Sequence, residues 1–234
     1  MRLRLLLLIF CCVSATGYAQ VYEKSYGIEA SVHQGGRRIS AGSGIPFQQL
    51  ERQDSLESGL GGYGIGLLFE SRADKIGFTA GVRYFTTGYI FTETFADGPG
   101  FGTDIESEVT ARYLELPLEM NFHQSINEKD RVSFTLGLGA NLHLKTETAE
   151  TPIVEGQRGD TEIIPPFDDE EFRPVVVSLN TALAYDRKLG DDFAVKVQPY
   201  FRFFLQGNLQ TNFSQFNRNY FQTGVRVVVK RIVF

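Results

Sequence analysis

The feature that most constrains this chain is a strict two-residue alternation of apolar and polar side chains, clearest in residues 113–122, YLELPLEMNF. The apolar positions are Leu114, Leu116, Leu118, Met120 and Phe122, and the positions between them are Tyr113, Glu115, Pro117, Glu119 and Asn121. A period of two is that of a β-strand, in which successive side chains point to opposite faces. The segment therefore predicts a strand with one wholly apolar face and one polar face that carries two carboxylates.

The same alternation recurs in seven further segments, so the sequence predicts eight strands in all. These segments are 26–33, 62–69, 76–85, 132–142, 175–185, 193–203 and 221–229. None of the apolar faces contains a charged residue. The polar faces are rich in Gly, Ser, Thr and Asn, with scattered Glu and Arg, unlike the Lys- and Glu-rich surface of a solvated sheet.

The lengths of the connections favour a membrane barrel over a soluble sheet. The predicted connections are 34–59, 71–75, 90–110, 124–130, 145–173, 187–192 and 205–219, which alternate between long and short. This pattern, with short turns at one end and long loops at the other, is typical of outer-membrane barrels. A sheet that faces hydrocarbon must also be closed, because an open edge would leave backbone groups unsatisfied. The prediction is an all-β, eight-stranded antiparallel up-and-down transmembrane β-barrel; the alternative is a secreted soluble barrel with its apolar faces turned inward.

An eight-stranded barrel has a narrow lumen that side chains fill. On the polar faces we predict a charge network in the lumen, in which carboxylates pair with cations from other strands. Its predicted members are Glu29, Arg83, Glu115, Glu119, Lys196, Arg202 and Arg226, and the predicted lipid-facing residues are Leu114, Leu116, Leu118 and Met120. Pro117 cannot donate to a sheet ladder, so we expect a local bulge there.

The start of the chain has the pattern of a signal peptide. Arg2 and Arg4 precede an apolar run that is too short to span a bilayer, and small residues lead to an A-x-A-like site before residue 20. We predict a signal peptide over residues 1–20 and an outer-membrane barrel over 21–234. Cleavage would remove Cys11 and Cys12, and it would leave 21 of the 23 basic residues against 28 acidic ones, a net charge of −7. This acidic balance argues against binding to nucleic acid, which depends on basic patches.

The stretch 113–118, Tyr-Leu-Glu-Leu-Pro-Leu, resembles the Y-L-E-[IL]-P-L strand of the PorT-like outer-membrane β-barrel proteins that are abundant in Bacteroidota. The Gly-Val-Arg-Tyr of 81–84 and the terminal Phe234 are similar to the same family, and Phe234 resembles the C-terminal aromatic residue that the barrel-assembly machinery recognises. The resemblance implies an eight-stranded barrel. It implies no catalytic residue, although one member of the family is needed for secretion through the type-nine system.

Two arrangements of residues raise the possibility of catalysis. His123 and Ser125 have a same-face spacing but lie at the short-turn end, whereas His33 and His143 lie near the loop end, and no nucleophile, base and orienting group are visibly assembled around any of them. Glu115 and Glu119 could mimic a hydrolase pair, but neutralisation by arginines of other strands explains them better. We therefore predict no catalytic residue and no cofactor.

The acidic run 168–171, DDEE, lies in the third long loop. Clustered oxygens suit hard cations, so this loop could bind Ca²⁺ or bridge to lipopolysaccharide. Its spacing is not that of an EF-hand, and a charge run is usually a solvated loop. We predict no metal site there.

We expect the protein to lie in the outer membrane of a Gram-negative cell, with periplasmic termini and extracellular loops. Its expected role is non-enzymatic, either as an accessory subunit of a membrane complex such as a type-nine-like secretion apparatus or in surface interaction through the loops. The expected partners are outer-membrane lipids and lipopolysaccharide, the barrel-assembly machinery, and a secretion-complex or surface partner. The alternatives are a passive small-solute porin and, less favoured, an outer-membrane lipid-modifying enzyme.

Overall fold

A computed structural model describes residues 23–42, 44–94, 103–164, 172–210 and 216–233. Within these ranges the chain forms eleven strands and one helix. In chain order they are β1 (Glu23–Ala41), α1 (Phe47–Leu56), β2 (Glu57–Gly59), β3 (Gly61–Ala73), β4 (Ile76–Thr94), β5 (Thr103–Ser125), β6 (Asp130–Val154), β7 (Gln157–Arg158), β8 (Glu162–Ile164), β9 (Val175–Lys188), β10 (Phe193–Phe204) and β11 (Phe216–Val233). No helix in this part of the chain is both long and apolar enough to cross a membrane.

Eight of the described strands pair into a closed ring. Around the ring the order is β1, β3, β4, β5, β6, β9, β10 and β11. Every pairing is antiparallel, and β11 returns to β1 over a register that runs from Lys24↔Val233 to Ala41↔Phe216. Because each ring strand pairs with its neighbours in chain order and the last pairs with the first, the predicted eight-stranded antiparallel up-and-down barrel is confirmed.

The wall of the barrel is apolar on the outside and polar on the inside. On β5, Leu118 is 66% exposed, whereas the next residue, Glu119, is 2% exposed. The other ring strands repeat the pattern with exposed side chains that include Ile28, Val32, Ile65, Leu67, Phe78, Leu138, Leu183, Val197 and Val227. The two-residue period of the sequence therefore divides each strand between an apolar exterior and a lumen.

Several predicted loops are partly wrong, because strands continue into them. β4 extends to Thr94 and β5 begins at Thr103 within the predicted loop 90–110, while β6 runs to Val154 and pairs with β7 and β8 within 145–173. Helix α1 and strand β2 lie in the predicted loop 34–59. In β5 the two-residue alternation persists through 103–112, but the outward positions are polar there, so no apolar face marks this part of the strand in the sequence.

The predicted bulge at Pro117 is also wrong. Pro117 keeps its register partner Gly139 on β6, and the register shift lies instead between Arg112 and Tyr113, which pair with Lys145 and His143 and leave Leu144 as the extra residue. The missing donor has a different consequence. The β4–β5 ladder is interrupted for two steps, between Ala80↔Leu118 and Arg83↔Glu115, and resumes in the same register.

Candidate functional site: the filled lumen

The centre of the lumen is organised by Arg83, whose side chain is 2% exposed. Its Nη1 and Nη2 atoms donate to the two carboxylate oxygens of Glu119 at 2.6 and 3.0 Å. Its Nε lies 3.0 Å from Glu29 Oε1 on β1. Arg83 thus joins β4 to β5 through a two-point contact and to β1 across the barrel, a geometry that the planar guanidinium suits.

Arg202 of β10 makes the second strong pair in this layer. Its Nη2 donates to Glu115 Oε2 at 2.5 Å, and its Nη1 donates to Gln222 Oε1 at 2.8 Å. Asn180 donates to the other oxygen of Glu115 at 2.6 Å. The guanidinium carbon of Arg202 also lies 4.0 Å from the centre of the Phe85 ring. Glu115, which is fully buried, is therefore supported by hydrogen bonds from two neighbouring strands, β9 and β10, across the lumen.

Arg226 of β11 completes the central layer but is less fully paired. Its Nη1 donates to Glu119 Oε1 at 3.3 Å, its Nε lies 4.0 Å from Glu29 Oε1, and its guanidinium carbon lies 4.0 Å from the centre of the Tyr200 ring. Its Nε and Nη2 atoms have no hydrogen-bond partner among the described residues. The central layer holds three guanidinium groups and three carboxylates, so its formal charge is zero.

A second charged layer lies towards the short-turn end. Lys196 donates to Glu70 at 2.7 Å, and Lys230 bridges Glu70, at 3.4 Å, and Asp186. Closer still to the end, Arg131 and Arg72 reach Glu23 at 3.2 and 2.9 Å. Lys196, which we predicted as part of a single network, therefore belongs to this second layer.

Between the two layers is a void of about 10 Å³, which is lined by residues that include Glu70, Arg83, Glu119 and Lys196. A void of this size holds about one water molecule. The charged side chains thus fill the middle of the barrel.

The half of the lumen nearer the long loops is filled by aromatic rings. The rings of Phe85 and Tyr113 stack with their centroids 5.6 Å apart. The Phe204 ring packs edge-on against both, with centroid distances of 6.2 Å to Phe85 and 5.3 Å to Tyr113. Tyr220 packs against Phe204 at 5.9 Å, and all four side chains are at most 1% exposed. Aromatic pairs of this kind contribute about 0.5–1.5 kcal/mol beyond their buried area, so this layer is a small apolar core inside the barrel.

A buried carboxylate, Glu57, lies at the loop end of the barrel beyond the aromatic layer. Glu57 of β2 accepts hydrogen bonds from Arg218 of β11 at 2.6 Å and from Arg37 of β1 at 2.8 Å, and Gln53 of α1 donates to it at 2.7 Å. Its side chain is fully buried. Burial alone would raise the pKa of Glu57, but the hydrogen bonds and charge of Arg218, with Gln53 and Arg37, outweigh it and hold the pKa below its usual value. The contacts form a latch, defined here as Glu57, Arg37, Arg218 and Gln53, that ties α1 and β2 to the barrel wall.

The groups that could have suggested catalysis are not assembled. His123 is buried and faces the lumen, whereas Ser125 is exposed at the end of its strand. The hydroxyl opposite His123 is Ser133, yet neither its Oγ nor either ring nitrogen of His123 has a hydrogen-bond partner among the described residues. Glu70 lies 3.6 Å from His123 Nε2 but is committed to two lysines.

The other two histidines are engaged in structural contacts. His33 lies between the Tyr200 hydroxyl, at 3.0 Å, and the Thr86 carbonyl oxygen, at 2.8 Å. His143 contacts Thr146 and stacks on Phe172. No group of three or more His, Cys, Asp or Glu with metal-binding geometry occurs in the part of the chain that the structure describes.

The predicted site residues fall as follows. Glu29, Arg83, Glu115, Glu119, Arg202 and Arg226 come together in one layer, Lys196 lies in the next, and Leu116, Leu118 and Met120 are exposed on the outer wall with Leu114 half-buried above them. Tyr89 faces inward beneath Arg218, and the centre of its ring lies 4.3 Å from the guanidinium carbon. The signal peptide 1–20, the acidic run 168–171 and Phe234 lie outside the described residues.

Sequence analysis missed two groups of functional side chains. Asp186 and Glu23 lie just beyond the ends of the predicted strands, although extending the two-residue period by one position and by three positions, respectively, would have placed them in the lumen. Glu57 lies in a predicted loop, and no local pattern indicated that two distant arginines would bury it.

No protein-family model and no curated protein matches the chain. Among solved structures, it is similar to the Neisserial surface protein A, with 9% identity and a TM-score of 0.38 over 87% of this chain and 96% of that chain. It is also similar to the outer membrane protease OmpT from Escherichia coli, with 9% identity and a TM-score of 0.48 over 91% and 97% of the two chains. The attachment invasion locus protein Ail of Yersinia pestis matches with 11% identity and a TM-score of 0.32 over 88% and 99%. Since identity and TM-scores are this low, the barrel assignment rests on the strand pairing of the chain itself.

Proposed function

We propose that the protein is a non-enzymatic outer-membrane β-barrel with a structural or accessory role, whose closed lumen does not carry solutes. The observation that carries the proposal is the inversion of the barrel wall, in which exposed leucines such as Leu118 alternate with buried charges such as Glu119. Lipid is the solvent in which this arrangement is favourable, since a broad exposed apolar surface is unfavourable in water.

The inversion argues against a soluble barrel. A soluble barrel would turn its leucines inward, whereas here the inward positions hold Arg83, Arg202 and Arg226, each at most 2% exposed. Taking such charges out of water is favourable only when they are paired with good geometry, and the contacts of the central layer provide that geometry.

Two observations argue against the porin alternative. The lumen is filled successively by two charged layers and an aromatic layer, and open channels require about twice as many strands.

The lipid-modifying alternative has no support within the described residues, because no serine there is hydrogen-bonded to a histidine.

The accessory role is supported by the part of the molecule that extends beyond the apolar wall. β4, β5 and β6 contain 19, 23 and 25 residues, whereas a tilted strand needs only about 9–11 to cross a bilayer. Their loop-end halves therefore form a projecting sheet, made of residues 86–94, 103–112 and 145–154, which is joined by β2, β7 and β8. We propose that this sheet faces the cell exterior and presents a surface to a secretion-complex or surface partner, with lipopolysaccharide around its base and periplasmic termini at the other end.

The proposal is tested by expressing the full chain and following its location, its folding and its conductance. We expect the protein in the outer-membrane fraction, a change in gel mobility between unheated and boiled samples, and no steady conductance of the purified barrel in planar bilayers at neutral pH. Recovery as a soluble periplasmic protein would refute the membrane assignment. A large, stable and ion-selective conductance would favour the porin alternative.

A further inference from the structure

The outer wall carries an oblique apolar groove near the short-turn end, with a volume of about 690 Å³. The groove crosses β5, β6, β9 and β10, and its lining includes Phe122, Val132, Phe134, Leu183, Tyr185 and Val197. Neighbouring strands are about 4.8 Å apart, so four strands give a groove about 14 Å long. This elongated shape suits a linear hydrocarbon chain better than a compact ring.

The strand register explains the walls of the groove. One row of side chains contains Phe122, Phe134 and Leu183, which are register neighbours on β5, β6 and β9. The row one step nearer the turns contains Val132 and Tyr185, which are paired on β6 and β9. The Phe122 and Phe134 rings stack with their centroids 6.4 Å apart, which makes one wall continuous.

A proline shapes the far end of the groove. The β9–β10 ladder is interrupted between Val197↔Tyr185 and Tyr200↔Ala182, where Pro199 occupies the outward position. Proline has no backbone donor, and the ladder lacks two register pairs at this point before it resumes in the same register. The interruption lies next to Leu183 and Val197, which line the groove together with Pro199.

A cation lies one row beyond the groove, towards the turns. Arg187 is opposite Asp130 in the β6–β9 register, and its guanidinium is 3.8 Å from Asp130 Oδ1 with 58% of the side chain exposed. The same Asp130 oxygen accepts a hydrogen bond from the Tyr185 hydroxyl at 2.6 Å. Because Asp130 makes only this long contact with Arg187, the guanidinium keeps donors for another acceptor, and exposed Lys129 adds charge in the adjacent turn.

We infer that this groove binds one glycerophospholipid molecule, with an acyl chain between the two rows and its phosphate on Arg187. The inference rests on the proposed function, since it requires this wall to face lipid and the short turns to face the periplasmic leaflet. Guanidinium and phosphate match in geometry through paired N–H donors. The site therefore has an apolar part, the groove, and a phosphate-binding part, Arg187, which lies one row of outward side chains nearer the turns.

The test uses the purified full chain in detergent, titrated with palmitoyl-oleoyl-phosphatidylglycerol and followed by native mass spectrometry. We expect a one-to-one adduct, and Arg187→Ala should weaken it about tenfold, which corresponds to 1.4 kcal/mol. The matched control is Arg231→Ala, because Arg231 is an exposed arginine at the same end of the barrel, between Phe193 and Tyr26, and lies outside the groove. An equal loss in both variants, or no adduct with the wild-type protein, would overturn the inference.

A second pair of variants tests the apolar part. Val132→Trp should fill the groove and abolish the adduct, whereas Val229→Trp, at an exposed outward position away from the groove, should leave it unchanged. Gel mobility of unheated samples establishes that each variant is folded. Preferential binding of lipid A, or a dimer in place of the lipid adduct, would overturn the assignment to a phospholipid. If the adduct fails while the protein still fractionates with the outer membrane, only this inference is lost; failure of fractionation removes the proposed function as well.

Discussion

Strand β5 has two halves of opposite polarity. In residues 113–122 the outward side chains are apolar and the inward ones include Glu115 and Glu119. In residues 103–112 the alternation places Glu108 and Arg112 outward, while Val109 packs against the aromatic layer inside the barrel. The outer face of residues 113–122 is therefore suited to contact with hydrocarbon, and the outer face of residues 103–112 is suited to contact with water.

The change of polarity coincides with a structural boundary. The register shift between Arg112 and Tyr113 lies at this point, and Tyr113 itself belongs to the aromatic layer. On the short-turn side of the boundary, charged side chains pair across the lumen. On the loop side, aromatic rings and the Glu57 latch make the contacts between strands. The difference indicates where the hydrocarbon ends, and it can be tested by equivalent substitutions on each side.

The largest effect is expected for an arginine placed on the outer face. Leu116→Arg should block assembly, because an arginine at the bilayer midplane costs about 2–4 kcal/mol on the lipid face of a barrel. Thr110→Arg, at an outward position of the same strand above the boundary, should be tolerated, since surface substitutions usually remain within about 0.5 kcal/mol. The measurement is the fraction of heat-modifiable folded protein and the urea midpoint of each variant. Equal behaviour of the two variants would mean that the boundary is misplaced.

Glu115→Gln sharpens the same comparison from the inner face. It should be milder than Leu116→Arg, because Arg83 keeps Glu29 and Glu119 and Arg202 keeps Gln222. The remaining loss is that of a charge-assisted hydrogen bond, about 1.5–3 kcal/mol at most. If Glu115→Gln prevents assembly while Leu116→Arg does not, the inside and outside of the barrel have been exchanged.

A second prediction concerns the plug below the boundary. The double variant Arg83→Ala/Arg202→Ala should conduct ions several-fold better than wild type, since it empties the centre of the lumen and leaves carboxylates unpaired in a confined site. The control is Arg112→Ala/Arg158→Ala, which removes two arginines from the projecting sheet, where both are paired on the outside. Planar-bilayer recordings at neutral pH measure both. A closed double variant would show that the aromatic layer and the latch are sufficient to seal the barrel.

The third prediction concerns the latch above the boundary. Glu57→Gln should loosen α1 and β2, because two arginines exchange a charged acceptor with two oxygens for a neutral one with a single oxygen, an effect of about 1–3 kcal/mol. Hydrogen exchange over residues 47–59 should increase, while exchange in the central layer should not. Glu51→Gln on the exposed side of α1 is the control. Unchanged exchange in Glu57→Gln would refute the latch.

Acid should act on the wild-type latch in the same direction. Because the folded-state pKa of Glu57 is lowered, its stabilising contribution is fully present above the ordinary glutamate pKa of about 4.3, and it is lost as the pH falls through the depressed value. Exchange over residues 47–59 should therefore rise only below about pH 4. In Glu57→Gln this pH dependence should disappear.

The sequence predicted the wall of the barrel better than its interior partners. A two-residue period is local, so the outward leucines and the inward glutamates of 113–122 could be assigned without knowing any neighbour. The pairing of Glu119 with Arg226, or of Glu57 with Arg218, depends on closure of the ring, which brings together residues 107 and 161 positions apart. The extent of the strands was underestimated for a related reason, since the polarity of the outward face reverses at residue 112 although the strand continues.

The smallest effect is expected for an ion pair on the projecting sheet. Arg158 lies against Glu106, and their side chains are 62% and 23% exposed. Water screens such a pair and both side chains lose rotamer freedom, so exposed pairs contribute about 0–1 kcal/mol. Arg158→Ala should therefore leave the urea midpoint within error of wild type. Arg83→Ala should lower it, because the Arg83 side chain is only 2% exposed and its loss deprives two buried carboxylates, Glu29 and Glu119, of their strongest partner. Urea denaturation of the two variants in the same detergent makes the comparison direct. A destabilisation by Arg158→Ala as large as that by Arg83→Ala would mean that the projecting sheet is shielded from water, by lipid or by a bound partner, and would move the boundary from Tyr113 towards the loop end.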